Sequence, residues 1–91
     1  MAVSASGAAD IVAAALEQHQ AGRHDEAERL YRQALEANPH EPTALYLYGL
    51  MAFEAGRADQ AAALFEILVA VRPNHAEAQA ALARLRHWNG E

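Results

Sequence analysis

Shifted by 34 residues, the sequence falls onto itself: Leu16 meets Leu50, Ala21-Gly22-Arg23 meets Ala55-Gly56-Arg57, and Asp25 meets Asp59. Ala27 then pairs with Ala61, Leu30 with Leu64 and Pro39 with Pro73, while Ile11 faces Leu45 and Tyr31 faces Phe65. A fixed step of this length means that one supersecondary unit recurs and buries its apolar side against the next copy. In 91 residues that leaves room for two full units, part of a third, and a single core.

The unit is helical. Ala, Leu, Glu, Gln and Arg dominate, and β-branched residues are few and scattered. Gly22 and Gly56 each follow a helical stretch, where a left-handed residue closes a helix without a Cβ penalty. Asp25 and Asp59, three residues on, are expected to cap the next helix and meet its dipole. Leu30, Tyr31, Ala34 and Leu35 form a buried stripe that Leu64, Phe65, Leu68 and Val69 repeat, and Ala27 and Ala61 are small where two helices would approach. Pro39 and Pro73 end the second helix of each pair. Pro42 suits a first turn, and Asn74 with Glu77 resembles a reciprocal N-terminal cap. Helices are predicted at about 8–21, 25–37, 42–55, 59–71 and 75–88.

At these residues the chain resembles the tetratricopeptide repeat family, whose pattern is W-x2-L-G-x2-Y, then A-x3-F, then P, over 34 residues. The second copy supplies Leu45, Tyr48, Gly49 and Ala52, then Ala61, Phe65 and Pro73. The first gives Ile11, Ala14, Ala15 and Gln18, then Ala27, Tyr31 and Pro39, and a third begins at Ala76 and stops after one helix. The resemblance implies an all-α superhelix, or solenoid: two helical hairpins and a C-terminal capping helix, five helices in all. Repeat 1 is expected at about 8–41, repeat 2 at about 42–75 and the cap at about 75–88, within one domain over 8–91 behind a flexible tail, 1–7. Ala78, Ala81, Leu82, Leu85 and Trp88 share one face of the cap, and Gln79, Arg86 and His87 point away from it, as a terminal element with a wetter outer side should. Ala14, Ala15 and Gln18 depart from the bulkier pattern, so the first helix is expected to pack loosely or seek another chain.

The family lines its inner surface with one face of each first helix. Carried over, that face is Val12, Leu16 and His19, then Tyr46, Leu50 and Phe53, then Ala80, Arg84 and His87. Leu45, Tyr48, Met51 and Ala52 are better placed for the core, so Tyr46, Leu50 and Phe53 are left over as a contact stripe. The resemblance thus implies a protein-interaction module that binds a peptide or helix of a partner, with Arg84 and His87 fixing its orientation. The alternatives are a self-associating homo-oligomer or an accessory module of a glycosyltransferase or secretion system. The Lys and Asn clamp by which chaperone-tail receptors of this family hold a carboxylate has no counterpart, since those slots hold Val12, Leu16, Leu47, Glu77 and Ala81.

Composition narrows the remaining classes. The chain has no cysteine and no lysine, and its only serines are Ser4 and Ser6, so activated nucleophiles are scarce and no enzymatic role is predicted. Glu26, Glu28, Glu36 and Glu41 read as ordinary surface or helix-end charges. His19, His24, His40, His75 and His87 lack ligand spacing, so neither a metal nor any other cofactor is expected. With a net charge of −5 and arginines dispersed among acids, nucleic acid is not a predicted partner. No stretch approaches the roughly 20 apolar residues of a membrane span, and the start is unlike a secretory signal. A soluble, cytoplasmic setting is the expectation.

Overall fold

The computed structural model describes residues 5–88, which form five helices: α1 (Ala5–Gln20), α2 (His24–Ala37), α3 (Pro42–Glu54), α4 (Ala58–Val71) and α5 (Ala76–Trp88). Helix α1 begins at Ala5, so residues 5–7 of the predicted tail are helical, and the rest of that tail lies outside the described residues, as does the side chain of Trp88. The helices stack as two antiparallel hairpins, α1–α2 and α3–α4, with α5 laid against α4.

Each hairpin turns at its glycine. Gly22 and Gly56 have φ of 83° and 80°, and the amides around them complete a Schellman closure: Gly22 N donates to His19 O (3.0 Å) and Arg23 N to Gln18 O (2.9 Å). Gly56 and Arg57 repeat the pattern onto Phe53 O and Ala52 O. The next helix starts at once, because Arg23 and Arg57 are themselves the N-cap residues and offer no side-chain cap. Asp25 and Asp59 therefore fall inside the first turn instead of capping it, and act only on its dipole. The cap expected from Asn74 and Glu77 is likewise displaced: His75 Nδ1 accepts from Ala78 N at 3.1 Å.

Tyr31, Phe65, Leu45, Leu68 and Leu85 are the largest fully buried side chains. Each contributes about 1.5–3 kcal/mol of transfer free energy. Within the second hairpin, α3 and α4 close on Gly49, where an added Cβ would lie 2.7 Å from Phe65 Cε1 and 2.8 Å from Cζ. The first hairpin holds Ala15 at the same step opposite Tyr31, and Ala8, Ala15 and Val12 are buried. These small residues are what α1 offers to the hairpin core where the second hairpin has bulkier ones.

The hairpins are joined through a polar cluster. Glu28, expected on a solvated face, is only 9% exposed. Its Oε2 accepts from Tyr48 Oη (3.0 Å), Arg32 Nη2 (2.6 Å) and Arg57 Nη1 (2.9 Å). The Tyr48 hydroxyl in turn accepts from Arg32 Nε (3.0 Å) and Gln60 Nε2 (2.8 Å). Beside this cluster the Tyr31 and Tyr48 rings stack with centroids 5.9 Å apart. Helix α3 meets the preceding hairpin with Ala44, Tyr48 and Met51, and α5 uses Ala78, Leu82 and Leu85, all buried. On α1 the corresponding residues are Asp10, Ala14 and Glu17, and the outward face of α5 carries Gln79, Ala83 and Arg86. Both end faces of the array are therefore polar, and end-to-end stacking of copies would bury Asp10 and Glu17.

Two outcomes follow. Gly49→Ala gains about 1 kcal/mol of helix propensity but overpacks Phe65 by about 1–3 kcal/mol, so urea denaturation should show a net loss of up to about 2 kcal/mol and no gain. Burial alone raises the Glu28 pKa, but the Tyr48 and Arg57 hydrogen bonds and the charges of Arg32 and Arg57 outweigh it and hold the pKa below the ordinary value. Its contribution is then intact above the unfolded-state carboxylate range and fades as pH falls through the folded value. Glu28→Gln should cost about 1–3 kcal/mol at neutral pH, and its gap to the wild type should close on acidification; a constant gap would contradict this.

Candidate peptide-binding face

Helix α3 is apolar nearly all round because it has two jobs. Its buried side is Ala44, Leu45, Tyr48, Gly49, Met51 and Ala52. The opposite side keeps Leu47 and Leu50 half-buried and Phe53 42% exposed. Leu47 and Leu50 pack against the core yet keep part of their surface open, Phe53 lies outside it, and the three lie one helical turn apart.

A recess on each side of α3 uses them. Between α1 and α3, Ala9, Val12, Ala13 and Leu16 face Thr43 and Leu47 across a groove of about 240 Å³. Between α3 and α5, Leu50 and Phe53 face Ala81, Arg84 and Leu85 across a slot of about 30 Å³ floored by Phe65. Helices α1, α3 and α5 thus present one grooved side of the array.

The sequence-predicted site residues divide accordingly. Leu16, Leu50, Phe53 and Arg84 line the grooves. Val12 also lines the first groove but is only 4% exposed, so it belongs to the core and can offer the groove little surface. Tyr46 is half-buried, its ring 6.1 Å from that of Phe65 and 5.2 Å from that of His75, so it wedges between helices. His87 is exposed on α5 and lines neither recess. Thr43 and Ala9 were not picked out from sequence, and Leu47 entered only as an empty clamp slot. The surplus of apolar residues on α3 was the signal available for Leu47.

His19 marks the edge of this side. Its Nε2 lies 3.2 Å from Glu54 Oε1 and its Nδ1 3.5 Å from Tyr31 Oη. Burial and the Glu54 charge push the Tyr31 phenol up to about 12, so it remains a donor. One neutral tautomer satisfies both contacts: Tyr31 donates to Nδ1, and Nε2–H donates to Glu54. The His24 ring packs edge-on at 5.3 Å, yet among the described residues no three His, Asp or Glu side chains converge as metal ligands would. Glu41, read as a helix-end charge, caps α3 by accepting from Thr43 N (3.3 Å) and Ala44 N (2.9 Å).

A family model described as tetratricopeptide repeat matches residues 18–85. The chain belongs to the tetratricopeptide repeat family. Proteins of this family are in general protein-interaction modules, typically without catalytic activity of their own. No curated protein matches the chain, and no helix among the described residues is long and apolar enough to cross a membrane.

If the exposed residues of α3 are not core, their removal should be nearly silent in stability. Phe53→Ser is expected to change the unfolding free energy by less than about 1 kcal/mol, against about 3–5 kcal/mol for Phe65→Ala. Equal losses at the two positions would mean that Phe53 packs inward.

Proposed function

We propose that the chain is a non-catalytic adaptor that binds a peptide segment of a partner protein across the side formed by α1, α3 and α5. The observation that carries this reading is the apolar strip Leu47, Leu50 and Phe53, left partly open between two recesses while the rest of α3 is spent on the core. Burial of that strip supplies affinity at about 25 cal/mol per Å², less the entropy of association. Arg84 supplies orientation. A cytoplasmic setting, as cofactor-free machinery held together without disulfides, accords with the lack of cysteine.

A second reading has one observation in its favour. On α4, Ile67 is 42% exposed and lies in line with Ala63 and Ala70, where α2 carries Arg29, Gln33 and Glu36. This strip faces away from the grooves and would serve self-association.

The two are separable. The double variant Leu47→Ser/Phe53→Ser should lose the partner captured from its native cells, with helicity unchanged by circular dichroism, whereas Ile67→Ser should keep it. Capture that survives the double variant would reject the grooved side. Light scattering of Ile67→Ser tests the self-association reading, which fails if the wild type is already monomeric at high concentration.

A further inference from the structure

The outer sides of α2 and α4 differ in a patterned way. On α4 the exposed line is Ala63, Ile67 and Ala70; one 34-residue step earlier, α2 exposes Arg29, Gln33 and Glu36. Arg57 at the start of α4 bonds Glu28 near the start of α2, so the two helices run the same way side by side. Their outer sides form one surface, apolar on α4 and charged on α2, that faces away from the grooves.

That surface is complementary to itself. Laid antiparallel on α4 of a second copy, α4 sets Ala63 opposite Ala70 of the other copy and brings both Ile67 side chains to the two-fold axis. The same axis sets Arg29 of each copy toward Glu36 of the other, because these residues hold the equivalent positions of the preceding repeat. Asp59 and Arg72, at opposite ends of α4, are exchanged in the same sense. Glu36, Asp59 and Arg72 take part in no ion pair among the described residues, and Arg29, bonded to Glu26, keeps further N–H donors. A parallel arrangement would oppose like charges at each of these positions. Glu66, close to the axis, is offset by Arg86 of its own copy at 4.0 Å.

Net charge does not oppose the contact. Segments 23–37 and 57–72 hold five arginines against six acids, so most of the chain's −5 lies on the other helices. Each of α2 and α4 has 14 residues, about 21 Å of length. Two such helices side by side offer an area at the small end of specific interfaces, as a reversible dimer would use.

We infer that a second copy of this chain docks on the outer side of α2 and α4, antiparallel about a two-fold axis at Ile67. This rests on the self-association reading, and it leaves the grooved side of each copy open, so the dimer is a bivalent adaptor.

The test is sedimentation velocity of the full chain over a concentration series. The wild type should dimerise and Ile67→Asp should stay monomeric. Arg29→Glu and Glu36→Arg should each weaken the dimer about tenfold, with helicity unchanged by circular dichroism. An equal mixture of these two variants should regain association, since every charged contact in the mixed pair again joins opposite charges, and the double variant Arg29→Glu/Glu36→Arg should regain it too. A mixture that stays monomeric, a dimer indifferent to all these changes, or one dissociated by Phe53→Ser instead, overturns the inference while self-association stands. A wild type still monomeric at about millimolar concentration overturns both.

Discussion

The carboxylate of Glu28 decides how the second hairpin lies on the first. Apolar contact between Tyr31, Tyr48 and their neighbours supplies most of the attraction, but it is non-directional and tolerates sliding. The hydrogen bonds onto Glu28 and Tyr48 are directional and come from α2, α3 and α4 together, so they are satisfied together at one register only. Burial by itself would disfavour the charge. The donors of Tyr48, Arg32 and Arg57 outweigh that penalty, and removing any one of them leaves a nearly buried anion short of partners.

From that register the grooved side follows. With α3 held against α2, its surplus of apolar residues turns toward α1 and α5, and two recesses open where first helices lie side by side. The first recess is wide and apolar; the second is narrow and ends at Arg84. Among the described residues, Asp10 and Glu17 stand on one end face and Gln79 and Arg86 on the other, whereas Phe53 on the grooved side and Ile67 on α4 are exposed large apolar side chains.

What the sequence disclosed was whatever acts within one 34-residue step. Gly22 and Gly56 announced the turns, Pro39 and Pro73 the helix ends, and the Tyr31 and Phe65 stripes the hairpin cores. Features that need two steps at once were hidden. Glu28 lies on the outer side of an isolated hairpin and becomes buried only when α3 and α4 arrive, and its counterpart one step later is Ala62, so the repeat offered no hint. The phenol of Tyr48, destined for the core and needing a partner, was the clue. The caps were misassigned because the Schellman turn is so short that Arg23 and Arg57 already occupy the cap position. Val12 and Leu16 share a face by periodicity, yet only Val12 lies within the core.

Native-state hydrogen exchange tests most directly whether the two hairpins form one unit. If Glu28 and Tyr48 lock them together, the slowest amides of α2 and α4 exchange with a common opening free energy, and Tyr48→Phe lowers both equally. Separate opening free energies for α2 and α4 in the wild type, with only one of them sensitive to Tyr48→Phe, would contradict a rigid junction and with it a standing groove between α1, α3 and α5.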